Sequence, residues 1–286
     1  MTQIYAEVIG DPIAQSKSPL IHNFWLAKLG IDADYRARQV RPEELGAYLA
    51  ERRADPDWRG CNVTIPHKQA VMAHLDDIDP AAARIGAVNT VKRQAGGRLV
   101  GYNTDADGFM EPLLPLLEER HLFRMARIIG SGGAARAVAH GLADRGFTLA
   151  IIARDTAKAY ALLTSIDPQA PASMVASLAE WGKPIDFDWG DRSGAFDLVV
   201  NTTSLGMTGY PPLEIDFSHI PPAAVVYDIV YAPLETPLLA DARRRGHRTV
   251  DGLNMLVGQA AIAFGHFFGE PAPRADDAEL RTMLVR

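Results

Sequence analysis

Residues 126–154, ARIIGSGGAARAVAHGLADRGFTLAIIAR, decide the fold. A short apolar run (126–129) meets a glycine-rich turn, a helical pattern follows (134–146), and a second apolar run (148–154) completes a βαβ unit. The turn Gly130-Ser131-Gly132-Gly133-Ala134-Ala135 has the spacing G-x-G-x-x-A, in the strand-to-helix context that makes such a string informative. Gly130 permits a tight turn, Gly132 lets backbone approach a pyrophosphate, and Ala135 allows close helix packing. The helix N-terminus that follows this turn offers free N–H groups to the anion. Glycines in such a turn also serve as plain turn chemistry; the flanking pattern favours dinucleotide binding.

Downstream, FDLVVN (196–201), AVVYDIV (224–230) and HRTVD (247–251) read as further strands, with a helix in ETPLLADARRRG before the last. Residues 106–251 are therefore expected to form a Rossmann-type, doubly wound dinucleotide-binding domain. Upstream, YAEVIG (5–10), DYRARQV (34–40) and CNVTI (61–65) read as strands, PLIHNFWLAKLG (19–30) as a helix ending at Gly30, and GAVNTV with RLVGYNT as a hairpin across Gly96-Gly97. These residues, 1–105, are expected to form an N-terminal α/β domain against which 252–286 pack back, led by the long apolar helix 252–268. A continuous helix over 105–120 is expected to join the halves. The fold class is thus α/β throughout.

Length and charge narrow the function. A chain of 286 residues suits two domains, and a formal charge of −6 gives no long-range pull toward nucleic acid or an anionic membrane. No run approaches the roughly 20 apolar residues of a membrane span. The single cysteine, Cys61, and an N-terminus without a basic segment and apolar run predict a cytoplasmic protein. The eight histidines show no clustered ligand spacing, so no metal is expected.

Two strand-to-helix junctions carry candidate chemistry. Asn62-Val63-Thr64-Ile65-Pro66-His67-Lys68 is read as a strand end with Pro66 opening a helix and Lys68 in its first turn, and Asn103-Thr104-Asp105 is a second such junction. A Lys and an Asp at two such points can converge on one cleft. Arg154 and Lys158, at the end of the second strand of the βαβ unit, would neutralise a 2′-phosphate, whereas Asp155 would either contact a ribose 2′-hydroxyl or cap the next helix. Because Thr156-Ala157-Lys158 runs directly into a helical pattern, the capped geometry is expected, and NADP over NAD.

The sequence resembles the shikimate dehydrogenase family over nearly its entire length. The motifs GDPIAQSKSPLIHN (10–23), NVTIPHK (62–68), GAVNT (86–90), GYNTDADGF (101–109), GSGGAARA (130–137), NTTSLGM (201–207), YDIVYAPLETPLL (227–239) and GLNMLVGQ (252–259) follow in the family's order. The resemblance implies reversible reduction of 3-dehydroshikimate to shikimate with NADPH. It implies Lys68 and Asp105 as catalytic residues, and Ser16, Ser18, Asn62, Thr64, Asn89, Tyr231 and Gln259 around the substrate. Thr202, Ser204, Met207, Gly252 and Met255 would join Gly130, Gly132, Gly133, Ala134, Ala135, Arg154 and Lys158 around the cofactor; Met207 could equally be a gap-filler. An ammonium beside the ketone can stabilise the developing alkoxide and deliver its proton, and the division of work between Lys68 and Asp105 stays open.

The chain departs from the family pattern at Ala153 and Asp155, which flank a retained Arg154, and at Ala106, where the family commonly has Gly. A quinate/shikimate enzyme using NAD is the nearest alternative; it commonly replaces the second serine with Thr, and Ser18 is present here. A non-catalytic shikimate or dinucleotide sensor would be expected to lose Lys68 or Asp105, and both remain. The expected partners are the small-molecule substrate alone, with the chain a monomer or homodimer.

Overall fold

The computed structural model describes residues 3–285; Met1, Thr2 and Arg286, the outermost residues of the expected N-terminal domain and of the leader reading, lie outside it. The chain forms two compact units. One comprises residues up to Gly108 together with those from Val257 on, and the other is Phe109–Leu256. Each passage between them falls inside a helix, Asp105–Met110 and Gly252–Phe268.

The second unit holds six parallel strands: β7 (Phe123–Ile129), β8 (Thr148–Ala153), β9 (Val175–Ser177), β10 (Ala195–Asn201), β11 (Val225–Asp228) and β12 (Arg248–Val250). Their order across the sheet is β12-β11-β10-β7-β8-β9, the doubly wound order with its reversal between β7 and β10. Successive side chains point to opposite faces, so a strand covered on both sides is apolar at most positions of both faces. Accordingly Ile128, Leu198, Val200 and Tyr227 enter one core and Ile129, Val199 and Val226 the other. The helices Gly133–Ala143 and Thr156–Ile166 follow β7 and β8.

The first unit has a mixed sheet of β1 (Ile4–Gly10), β2 (Ala33–Gln39), β3 (Trp58–Val63), β4 (Asp77–Ile78), β5 (Thr90–Arg93) and β6 (Leu99–Tyr102), in the order β2-β1-β3-β5-β6-β4. β5 and β6 form the antiparallel hairpin. The helix Ser18–Leu29 has Pro19 in its first turn and stops at Gly30, whose φ of 65° is the left-handed cap conformation. Its His22 stacks on Tyr35, and Trp25 and His22 both pack with Phe264 of the long C-terminal helix. The final helix, Asp277–Leu284, buries Leu280 and Leu284.

Two expectations are corrected. The joining helix over 105–120 is broken into Asp105–Met110, a 3-10 turn Glu111–Leu113 and a short helix Leu114–Leu117. Pro112 and Pro115 each remove an N–H donor and crowd the preceding turn. Lys68 lies in a turn, not on a first helical turn; only a 3-10 helix, Ala70–His74, follows. The Lys68 carbonyl accepts from Val88 N at 2.8 Å, which takes it out of any local helical ladder.

Candidate functional site

Lys68 and Asp105 meet in the first unit. Lys68 Nζ lies 2.5 Å from Asp105 Oδ2, with the two side chains 14% and 6% exposed. The other carboxylate oxygen, Oδ1, accepts from Asn89 Nδ2 at 2.9 Å. The second Asn89 amide hydrogen goes to Thr104 Oγ1 at 2.9 Å, and Asn89 Oδ1 accepts from Thr104 N and from the Thr90 hydroxyl. An amide with both hydrogens and both lone pairs engaged has one orientation, and it fixes the carboxylate. Asp105 thereby presents a held negative charge and Lys68 a held ammonium in a place with little water.

Asn62 is fixed in the same way. Its Oδ1 accepts from Tyr35 Oη at 2.6 Å, and its Nδ2 donates to Thr90 Oγ1 at 3.0 Å and to the Asn89 carbonyl at 3.3 Å. Thr64 is half-buried just past β3, where its backbone N–H reaches Ile9 O at 2.9 Å. A Cβ at Gly10 would lie 2.5 Å from Thr64 Cγ2, so this glycine makes the room that Thr64 occupies. Ser16 Oγ accepts from the Ser18 N–H at 3.3 Å, which places both serines at the start of the helix Ser18–Leu29. Gln259 is buried, and a Cβ at Gly108 would lie 2.4 Å from its backbone nitrogen.

In the second unit the glycine-rich turn sits at the carboxyl end of β7, at the reversal in strand order. Gly130 has a φ of 122°, and a Cβ there would lie 2.4 Å from Thr202 Oγ1. The Thr202 hydroxyl donates to Ile129 O at 2.7 Å, so the loop after β10 is fastened to the turn after β7. A Cβ at Gly132, by contrast, would meet nothing within 4 Å. Gly132 caps the helix Gly133–Ala143 with extended backbone and no side-chain bond to its first N–H groups. Those donors, in front of open space, fit an anionic pyrophosphate. Gly133 and Ala134 lie in the helix's first turn and Ala135 is fully buried, packed into the core.

Asp155 is the cap of the next helix: its Oδ1 accepts from Lys158 N at 3.0 Å, and this bond holds its carboxyl below the usual range. Lys158 Nζ is 3.5 Å from Asp155 Oδ2, and Arg154 is exposed at the strand end. Thr202, Ser204, Met207 and Tyr231 are half-buried on the two loops beyond β10 and β11. Met255 is buried in the core of the unit. The space left by the missing Cβ of Gly252 is filled by the protein itself, since Ile229 O would be 2.3 Å and Val230 O 2.5 Å away.

A buried polar cluster between these loops escapes the reading of the sequence. Asp228 is fully buried; Oδ1 accepts from Asn201 Nδ2 at 2.9 Å and Val230 N at 3.0 Å, and Oδ2 from Thr236 Oγ1 at 2.7 Å. Burial pushes its carboxyl up to about 6, against these three donors. Asn201, Asp228 and Thr236 all lie in the quoted motifs, and a polar residue inside an apolar strand run is the signal that points to them. Among the described residues no helix is long and apolar enough to cross a membrane.

Known proteins place the chain. The model for the shikimate dehydrogenase substrate binding domain matches residues 8–91, and that for the shikimate 5'-dehydrogenase C-terminal domain matches residues 252–278. Shikimate dehydrogenase (NADP(+)) of Sphingopyxis alaskensis is 51% identical over 283 residues, which are 98% of this chain and 97% of that protein. The enzyme of the same description from Rhodospirillum rubrum is 46% identical, covering 96% of this chain and 94% of its own. The crystal structure of shikimate 5-dehydrogenase from Thermus thermophilus in complex with NADP(H) and shikimate superposes with a TM-score of 0.81 at 34% identity, covering 98% of this chain and 99% of that one. With an N-terminal α/β domain, a Rossmann-type second unit and this likeness over nearly its full length, the chain belongs to the shikimate dehydrogenase family.

Proposed function

We propose that this chain catalyses the reversible, NADP-dependent interconversion of 3-dehydroshikimate and shikimate, an oxidoreductase step of aromatic amino-acid biosynthesis. The observation that carries the reading is the Lys68–Asp105 pair, half-buried at the lysine and buried at the aspartate, held at 2.5 Å with Asn89 locking the carboxylate. NADP supplies or receives the hydride when bound. The protein's part is the proton and the charge. Lys68, as an ammonium, donates a hydrogen bond to the ketone oxygen, stabilises the negative charge that grows there, and passes its proton to it. Asp105 holds that ammonium in place, its Oδ2 accepting from Lys68 Nζ.

Ser16 and Ser18 are assigned to the substrate carboxylate, and Thr64 and Gln259 to its hydroxyls. Asn62 and Asn89 contribute amides whose hydrogens are already engaged within the protein, so their part is to fix the frame that the substrate meets. Tyr231 is assigned to the substrate on its motif alone. Gly130, Gly132, Gly133, Ala134 and Ala135 form the pyrophosphate cradle, with Thr202, Ser204 and Met207 on the neighbouring loop. Gly252 and Met255 are assigned to the cofactor on their motif alone. Arg154, with Lys158, reads the 2′-phosphate, because Asp155 is turned to the helix it caps. A cytoplasmic monomer or homodimer completes the proposal, in keeping with a single, buried cysteine.

Turnover of shikimate and of quinate, each with NADP and with NAD, tests the reading by nicotinamide absorbance. Shikimate with NADP is expected to be the fastest of the four combinations. Quinate turnover equal to or above that of shikimate, or an absence of turnover with any pair, would overturn it.

A further inference from the structure

We propose that Asp228 is a positioning residue for the dinucleotide: its carboxylate clasps the Asn201–Met207 loop to the segment Ile229–Thr236, and the clasp sets the protein's affinity for NADP. The proposal rests on the functional reading above, which places the cofactor at the carboxyl ends of these strands.

The geometry joins four pieces of chain at one buried group. Asn201 ends β10 and donates one amide hydrogen to Asp228 and the other to Leu205 O at 3.0 Å. Its own carbonyl oxygen, Oδ1, accepts from Thr203 N at 3.0 Å and Thr203 Oγ1 at 2.7 Å, which pins the loop bearing Thr202, Ser204 and Met207. Val230 N reaches the same carboxylate from the segment bearing Tyr231. Thr236, the cap of the helix Pro237–Arg244, donates to Oδ2 while its oxygen accepts from Leu239 N at 3.3 Å. These three donors to the carboxylate are all neutral.

A buried acid bonded by neutral groups opposes folding more than a neutral side chain would, so an arrangement of this kind is better explained by the order it imposes than by stability. That order reaches the cradle directly. Thr202 follows Asn201, and its hydroxyl group occupies the space that a Cβ on Gly130 would need. Loosening Asn201 therefore moves the wall against which the glycine-rich turn is built. None of these residues belongs to the Lys68–Asp105 network, which lies in the other unit.

The test is binding of NADP alone and of shikimate alone to the full chain, by calorimetry, with thermal unfolding as a check on folding. Asp228→Ala is expected to raise the dissociation constant for NADP about tenfold or more and leave that for shikimate within about twofold. Asp228→Asn keeps an acceptor at the Oδ1 position for Asn201 and Val230 and can donate to Thr236 from the other, so it is expected to recover NADP binding to within about threefold of wild type. Thr203→Val, isosteric and half-buried, breaks the clasp one bond away and is expected to weaken NADP binding about threefold or more; it decides the matter where Asp228→Ala unfolds. NADP binding within about twofold of wild type in a folded Asp228→Ala protein or in Thr203→Val, or equal losses for NADP and shikimate, would overturn the proposal. Failure of Asp228→Asn to recover binding would do so too. Wild-type chain that binds no NADP overturns the functional reading itself, an outcome distinct from normal wild-type binding with unaffected variants.

Discussion

Lys68→Met keeps the aliphatic stem of the lysine and deletes only its ammonium. In the structure that ammonium is 2.5 Å from Asp105 Oδ2 and its side chain is 14% exposed, so little water stands ready to replace it. Removing a hydrogen-bond donor aimed at a developing oxyanion in such a place costs about 2.7–4 kcal/mol of transition-state stabilisation, or about 100- to 1000-fold in kcat. Asp105 keeps its bond from Asn89, and Asn89 keeps Thr104, so the frame around the substrate survives and KM is expected to change by less than about threefold. Stability should fall as well, because the carboxylate loses its counter-ion; for a pair with this residual exposure about 2 kcal/mol is reasonable. The assay is steady-state oxidation of shikimate with NADP, read as nicotinamide absorbance across a full range of shikimate, alongside thermal unfolding. A variant that turns over at the wild-type rate at saturating shikimate, with only KM raised, would refute the reasoning and leave Lys68 as a binding residue.

Arg154→Ala is expected to raise KM for NADP about 10- to 100-fold, the worth of a charge-assisted bond of about 1.5–3 kcal/mol, with KM for NAD nearly unchanged; equal effects on both cofactors would count against a phosphate contact. Gly130→Ala forces a Cβ to within 2.4 Å of Thr202 Oγ1 at a φ of 122°, and is expected to lower the unfolding temperature and weaken NADP binding; a variant as stable as wild type would contradict that packing. His22 is fully buried with neither ring nitrogen bonded, and burial lowers its ionisation to about 3. Protonation therefore favours the unfolded chain, whose histidine titrates near 6.5: the contribution to stability is full above that pH and is lost progressively toward 3. Between pH 7.5 and 5 wild type should lose about 2 kcal/mol relative to His22→Phe, as measured by denaturant unfolding; parallel pH curves for the two proteins would show that His22 does not titrate this way.

The second unit is the more legible half. Strands covered on both faces are apolar runs, and the turn after β7 carries its chemistry as glycines, so both stand out in sequence. The helix Gly252–Phe268 is legible end to end for the same reason, being apolar except at Asn254, Gln259 and His266. Short elements are not: β4 and β9 are too brief to show a period, and each depends on a neighbouring strand for its pairing. Lys68 reads as helical because Pro66 resembles a helix start, whereas its carbonyl is claimed by Val88, a long-range bond that no local pattern encodes. The candidate catalytic pair is visible as two residues, but the bond by which Asn89 holds the Asp105 carboxylate is not. Whether an Asn faces a ligand or a neighbouring carboxylate depends on where two loops meet, and spacing along one chain does not contain that.

The order in which the units are contained in the chain bears on synthesis. Phe109–Leu256 is one uninterrupted segment, and both faces of its sheet find their apolar partners within it. The other unit is split, and its Trp25 and His22 pack against Phe264 while Leu280 and Leu284 are buried near the very end of the chain. A ribosome adds roughly 5–20 residues per second, and domains tend to fold as their residues emerge. The Rossmann-type unit can thus acquire its native core while the N-terminal residues, made first, still wait for their closing helices. A chain truncated after Leu256 and freed from the ribosome should carry a folded second unit and leave Trp25 and His22 without Phe264, so the need for a chaperone is greatest before residues 257–284 clear the ribosome.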